Sequence, residues 1–193
     1  MELLVASTLV GIVMAGVISV EFAIRRSRQA ASQDMVLSAS MAAAMLQIIK
    51  DAQQTSGDST TPENWQSEGI YGSVVGDDRF ICFQQDTNDL FSYADDTWTC
   101  YLHGSSWDLH RCSGLTTPDW TACVGNMEPT FLLPLERDVE TPFFEVIRDS
   151  VTKKIQYIQI TLRCLADQDQ SVNPITNPRL ELKSQINPFY LSR

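Results

Sequence analysis

Histidine is scarce in this chain, and cysteine never occurs in a CxxC pair. Only two histidines, His103 and His110, are found among the 193 residues, and the five cysteines are widely spaced. Structural zinc sites need closely spaced cysteines and histidines, so the sequence fits a zinc protein poorly. No serine lies in a nucleophile elbow, and no pair of acids is set apart by its spacing. We therefore predict no enzymatic activity, no resident metal and no cofactor.

A calcium loop is also poorly supported by the sequence. Asp167 and Asp169 alternate with polar residues, as the acids of calcium loops do. The glycine and the distal glutamate that complete an EF-hand loop do not follow them. We therefore do not assign a calcium site to this segment.

Basic residues are few in the middle of the chain. The net charge is −10; residues 56–145 hold sixteen acids and three bases, whereas residues 146–193 hold four acids and seven bases. Proteins that bind nucleic acid meet its phosphates with clustered lysine and arginine. Nonspecific nucleic-acid binding is therefore not expected, although a local basic patch near Lys153, Lys154 and Arg163 is compatible with these counts.

Apolar residues dominate the beginning of the chain. Residues 3–20 contain neither a charged side chain nor a proline. A helix of that length spans roughly 27 Å, at about 1.5 Å per residue, which is close to the hydrocarbon thickness of a bilayer. Glu2, at the head of this run, is unfavourable in lipid unless a partner neutralises it. The run predicts a membrane anchor, and Glu2 is a candidate functional residue.

The same segment carries a family resemblance. Glu-Leu-Leu-Val-Ala-Ser at residues 2–7 and Gly-Ile-Val-Met-Ala-Gly at residues 11–16 resemble the N-terminal segment of type IV pilins and of type II secretion pseudopilins. In that family a leader ending in glycine is removed, and the fifth mature residue is the glutamate that Glu2 resembles. We expect such a leader upstream of Met1. The family often has a proline where Ser19 stands, so the resemblance does not imply a kink there.

The resemblance implies a filament subunit rather than an enzyme. Before assembly the helix would hold the subunit in the bacterial inner membrane, with a periplasmic head and the assembly machinery as partner. After assembly the helix would pack against helices of identical or related subunits in an extracellular or periplasmic filament. Glu2 would then pair with the N-terminal amine of an adjacent subunit, and Gly11 and Gly16 would let the intervening segment stretch. The large head favours a minor pilin.

Two alternatives remain open, a pseudopilin of type II secretion and a membrane-tethered, adhesin-like binding module. Three arginines follow the apolar run at Arg25, Arg26 and Arg28, and the positive-inside tendency favours a cytoplasmic location for them. The cysteines favour export of the downstream domain instead. A basic leader upstream would decide in favour of export.

Cysteines at this density usually form disulfides in an exported domain. We favour a pair between Cys112 and Cys123, which would close the loop between them, and a pair between Cys82 and Cys100 across neighbouring strands. Cys164 would then be free. Any four cysteines allow three connectivities, so other pairings remain open at this point.

The helix is predicted to continue beyond the membrane segment. Residues 28–54 lack glycine and proline, and Gly57 is expected to end the helix. One apolar stripe is predicted to be buried by the downstream domain: Met35, Ala39, Ala42, Leu46 and Ile49. We divide the chain into three parts. Residues 1–27 are the half of the helix that lies in the membrane or the filament core, and residues 28–56 are its amphipathic half. Residues 57–193 form the head.

Strand patterns predict an antiparallel sheet in the head. Candidate strands are residues 80–85, 90–93, 98–103, 107–111, 143–149, 154–164 and 180–186, and residues 112–126 are expected to be a loop. In residues 154–164, alternation predicts Gln159, Thr161 and Arg163 on the outward face, and the partner strand is expected at residues 180–186. A helix followed by such strands is an α+β fold. This agrees with the pilin-like fold that the resemblance implies, a long N-terminal helix packed on an antiparallel sheet.

Overall fold

The computed structural model describes residues 2–57, 68–72, 80–86, 96–103, 109–119, 133, 135, 143–165, 173 and 177–187; for residues 2–13, 15, 26, 29, 30, 33 and 103 it describes only the backbone. The described residues form one long helix, α1 (Glu2–Gln53), and seven strands in two antiparallel sheets. The fold is therefore α+β, as predicted. Internal contacts divide the chain into two units, Met1–Ser38 and Ala39–Arg193.

The first sheet contains four strands, which lie side by side in chain order, and each strand is antiparallel to its neighbours. Its strands are β1 (Ile70–Gly72), β2 (Phe80–Gln85), β3 (Thr97–His103) and β4 (Leu109–Leu115). The strands predicted at residues 80–85 and 98–103 are confirmed within one residue. The strand predicted at residues 90–93 lies outside the described part of the chain.

The expected loop at residues 112–126 begins too early, because β4 continues to Leu115. Leu115 pairs with Trp98, and Cys112 pairs with Cys100, so β4 has one residue more than β3 between these two pairs. Gly114, with φ 72°, lies in this β-bulge, where a left-handed conformation suits glycine. A glycine that indicated a loop in the sequence thus belongs to a bulged strand.

The second sheet has the order β5-β6-β7 and contains β5 (Phe144–Arg148), β6 (Ile155–Leu165) and β7 (Arg179–Ile186). The predicted pairing of the last two strands is confirmed, with Leu162 opposite Leu182. The outward assignment of Thr161 and Arg163 is wrong, because these residues are only 2% and 6% exposed. The last half of β6 is buried on both faces, and the charge of Arg163 is met by Glu181 on β7.

The buried side of α1 differs from the predicted one. The buried apolar residues of its last turns are Met41, Ala44, Met45, Ile48 and Ala52. Met35 and Leu46, which belong to the predicted stripe, are largely exposed. At 3.6 residues per turn the two stripes differ by roughly a third of a turn. Both are apolar, so periodicity alone could not identify the buried one.

The segment after α1 runs alongside β2. Thr55 forms a bridge with Gln85, and the amide of Ser56 donates to the carbonyl of Gln84 at 2.9 Å. Gly69 passes close to this segment with φ 67°; a Cβ atom there would lie 1.9 Å from the carbonyl oxygen of Ser56. Only glycine therefore fits at residue 69. The helix itself ends at Gln53, four residues before the predicted Gly57.

Candidate functional site

The residues that the sequence assigns to assembly all lie in α1. The helical backbone contains Glu2, Gly11 and Gly16. The side chain of Glu2 and the surroundings of Gly11 lie outside the described part of the structure. A Cβ atom at Gly16 would meet no other atom within 4 Å. Contacts within this chain therefore do not explain why residue 16 is a glycine.

Large apolar side chains are exposed along α1 between residues 14 and 24. Six of them are 46 to 71% exposed: Met14, Val17, Ile18, Val20, Phe22 and Ile24. At 3.6 residues per turn they cover more than half of the circumference, and the small residues Gly16, Ser19 and Ala23 lie on the remaining side. A helix with so wide an apolar surface is normally buried in a large core or in a membrane.

The polar groups of this segment are satisfied by the helix itself. Arg25 Nη2 contacts Glu21 Oε1 at 2.6 Å, one turn apart on the helix surface. Ser19 Oγ donates to the carbonyl oxygen of Gly16 at 2.8 Å. Internal pairing of this kind lowers the free energy needed to move the segment out of water.

Three more large apolar side chains are exposed further along α1. Met35, Val36 and Leu46 are 74%, 65% and 66% exposed. Together with the six residues above, they account for nine of the ten large apolar residues that are exposed in the described structure; Val151 is the tenth. A cluster of exposed apolar residues such as the six between residues 14 and 24 marks a contact with lipid or with another protein.

One part of α1 is long and apolar enough to cross a membrane. Among the residues searched, which are the described ones, this segment is Asp34–Gln53, with a mean hydropathy of 1.3 and 33% of the segment buried. Length and composition alone give this result, and the core helix of a soluble protein or a signal sequence would also give it. The result is compatible with a membrane anchor near the N-terminus.

No family model, curated protein or solved structure matches this chain. Its functional interpretation therefore depends on the residues themselves, and above all on the exposed surface of α1.

An ion-pair network joins the end of α1 to the first sheet. Asp51 Oδ2 accepts hydrogen bonds from the Tyr101 hydroxyl at 2.5 Å and from Arg111 Nε at 2.9 Å, and Asp51 Oδ1 accepts one from Gln47 at 3.1 Å. Burial raises the pKa of Tyr101, and the bond to Asp51 raises it further. Sequence reasoning missed this network, because nothing local distinguishes Asp51 from a solvated helix acid.

Three of the cysteines lie in one row across the first sheet. Cys82 on β2 is opposite Cys100 on β3, and the two form a disulfide, which is the pairing that the sequence analysis favoured. Cys112 on β4 is opposite Cys100 and is also disulfide-bonded. Its predicted partner, Cys123, lies outside the described residues. Cys164 is a buried free thiol, and burial raises its pKa to about 12, which makes it a poor nucleophile.

The two histidines lie at the edge of the first sheet and at its hairpin. His110 is on β4, the edge strand, and its Nδ1 is buried without a hydrogen-bond partner. His103 ends β3. In the described part of the chain, no group of three histidines, cysteines or acids is close enough to hold a metal ion.

Proposed function

We propose that this chain is a structural subunit of a type IV pilus-like filament, and specifically a minor pilin. The observation that carries this proposal is the segment of α1 from residue 14 to residue 24, which exposes large apolar side chains over more than half of its circumference. Such a segment is unstable in water and needs lipid or other helices around it. A filament subunit meets both environments, the bilayer before assembly and the helix bundle afterwards.

Leaving the bilayer for the filament requires more than apolar contact. Lipid tails are as apolar as leucine, so helix association depends on close packing and on polar contacts between helices. Gly16, Ser19 and Ala23 provide a side with small residues where a neighbouring helix can approach closely. Glu2 would add a paired charge with the N-terminal amine of the neighbour, and a single buried charged pair is suited to fixing register.

The rest of the chain supports the same proposal. In a pilin-like fold the second part of a long N-terminal helix packs on an antiparallel sheet. The burial of Met41, Ala44, Met45 and Ile48, and the bonds from Asp51 to β3 and β4, are compatible with that arrangement. The disulfide between Cys82 and Cys100 suits a head that is exported to an oxidising compartment.

The test compares two acids of the same helix. Glu2→Ala is expected to leave the protein in the membrane and to prevent its incorporation into fibres, because the register contact is lost. Glu21→Ala is the matched control, since Glu21 already pairs with Arg25 in its own helix. Fibres sheared from the producing cells and the membranes left behind are probed with an antibody to the head. Wild-type protein found only as a membrane-bound monomer would overturn the proposal.

A further inference from the structure

Three cysteines lie side by side across neighbouring strands of the first sheet, and we call them the cysteine row. Cys82 on β2 is opposite Cys100 on β3, and Cys100 is opposite Cys112 on β4. Residues that are opposite one another in an antiparallel sheet project from the same face, so the three side chains share one face. The central residue, Cys100, therefore has a cysteine neighbour on each side.

Either neighbour is close enough to form a disulfide with Cys100. Residues directly opposite one another in an antiparallel pair have Cα atoms about 4.5 or 5.5 Å apart, and disulfides usually bridge Cα atoms about 4.4–6.8 Å apart. The β-bulge of β4 lies on the Trp98 side of the row, and the pairing of β3 with β4 is regular from Cys100 to His103. A bond between Cys100 and Cys112 therefore needs no change in the register of the strands.

Two disulfides keep the row in its present arrangement. Cys82 is bonded to Cys100, and Cys112 is bonded outside the row. All three residues are fully buried, in an apolar cluster that also contains Phe80 and Trp98. Burial limits the access of a thiol from solution to the bond between Cys82 and Cys100, whereas Cys112 already lies beside that bond.

We propose that the disulfide of Cys112 is a redox-sensitive lock on the cysteine row, and that its reduction lets the cross-link move from β2 and β3 to β3 and β4. A dithiol in solution supplies two electrons, becomes a disulfide itself and leaves Cys112 as a thiol. The Cys112 thiolate then attacks Cys100 Sγ. The bond between Cys100 and Cys112 forms, the bond between Cys82 and Cys100 breaks, and Cys82 leaves as a thiolate that takes up a proton.

The order of the three residues suits this exchange. A thiolate attacks a disulfide sulfur from the side opposite the sulfur that leaves. In the row, Cys100 lies between the attacking Cys112 and the leaving Cys82. The free thiol of Cys164 is not in the row, because Cys164 is opposite Leu180 in the second sheet. The inference concerns the head alone and does not depend on the proposed filament function.

The experiment compares two variants of the full chain in detergent that differ by one sulfur atom. Cys123→Ser removes the cysteine that the sequence analysis pairs with Cys112, and Cys112→Ser/Cys123→Ser is the matched control. Both are held at pH 8 without reductant, unfolded in iodoacetamide and digested with chymotrypsin, which cleaves at aromatic residues between the three cysteines. In Cys123→Ser we expect peptides joined through Cys100 and Cys112, and several-fold more alkylated Cys82 than in the control.

The wild type tests the lock without any substitution. Limited reduction with dithiothreitol should yield the same peptides, joined through Cys100 and Cys112, before all the cysteines are reduced, and this result decides if Cys123→Ser does not fold. The inference is wrong if Cys112 becomes alkylated while the bond between Cys82 and Cys100 stays intact, or if Cys112 forms disulfide-linked dimers instead. Equal alkylation of Cys82 in the two variants would also overturn it, because Cys112 would then not be the attacking group.

Discussion

Asp51 is the residue whose side chain connects the end of α1 to two strands of the first sheet. Its carboxylate lies at the end of α1 and bonds to Tyr101 on β3 and Arg111 on β4, which are 50 and 60 residues away in sequence. The Asp51 side chain is 3% exposed and that of Arg111 16% exposed. A buried carboxylate is tolerated only when its partners satisfy it, as they do here.

Replacing Asp51 is therefore expected to be costly. Asp51→Ala should lower the free energy of unfolding by about 3 kcal/mol, because the largely buried guanidinium of Arg111 loses its counter-charge. Asp34→Ala, on the same helix but outside any ion pair described, should change it by less than about 0.5 kcal/mol. Urea unfolding of the detergent-solubilised chain measures both. Equal effects of the two changes would mean that the network does not stabilise the fold.

Glu181 gives the fold a dependence on acid pH. Its hydrogen bond to Lys183 and its bond to Arg163 keep its pKa below the ordinary value of about 4.5. Its stabilising contribution is therefore complete above that value and is lost as the pH falls through the lower pKa of the folded state. We expect the melting temperature of the wild type to be higher than that of Glu181→Gln at pH 7. The difference between the two melting temperatures should shrink below about pH 4.5. A difference in melting temperature that stays constant down to pH 3 would contradict this role of Glu181. In a chain that also carries Lys183→Gln, the difference at pH 7 should be smaller.

At the scale of elements, the strands were easier to predict than the orientation of the helix. Residues 80–85 form β2 as predicted, because the apolar run is short and bounded by turn residues. The pairing of β6 with β7 followed from alternation in both segments. The end of β4 could not be predicted, because Gly114 indicates a loop in sequence and a bulge in the sheet.

The buried side of α1 shows a more general limit. Apolar residues occur on several sides of its second half, so the periodic pattern contains two stripes of similar quality. What decides between them is the tertiary position of Asp51, whose partners are on β3 and β4. That contact depends on residues far away in sequence. The candidate assembly segment needs no information from distant residues, since an apolar run of this length can be recognised from the local sequence alone.

The two sides of α1 are expected to respond differently to truncation. Ile48 is fully buried, whereas Leu46, which belongs to the predicted stripe, is 66% exposed. Ile48→Ala should destabilise the second unit by about 2–5 kcal/mol through lost burial and a cavity. Leu46→Ala should change stability by less than about 0.5 kcal/mol. Thermal unfolding of the two variants distinguishes the sides, and a larger loss for Leu46→Ala would contradict the buried stripe.

At the scale of the whole molecule, the two units differ in the burial of their apolar side chains. The unit Ala39–Arg193 contains both sheets, and all the buried apolar residues of the described structure lie in it. The described residues of the unit Met1–Ser38 are all helical, and the large apolar side chains described in it are exposed, except for the half-buried Leu37. An isolated helix has little stability of its own in water, so the first unit needs an environment that the chain does not supply.

Amide hydrogen exchange can reveal that dependence. Without lipid or fibre, in a weakly binding detergent, amides of residues 14–28 should exchange much faster than those of residues 41–52, whose side chains contribute to the core. In assembled fibres the first segment should become as protected as the second, because neighbouring helices would surround it. Residues 155–165 of β6 serve as the internal control, since their protection should be the same in both states. Rapid exchange of residues 14–28 in fibres would mean that this segment is not in the filament core, whatever the behaviour of the head.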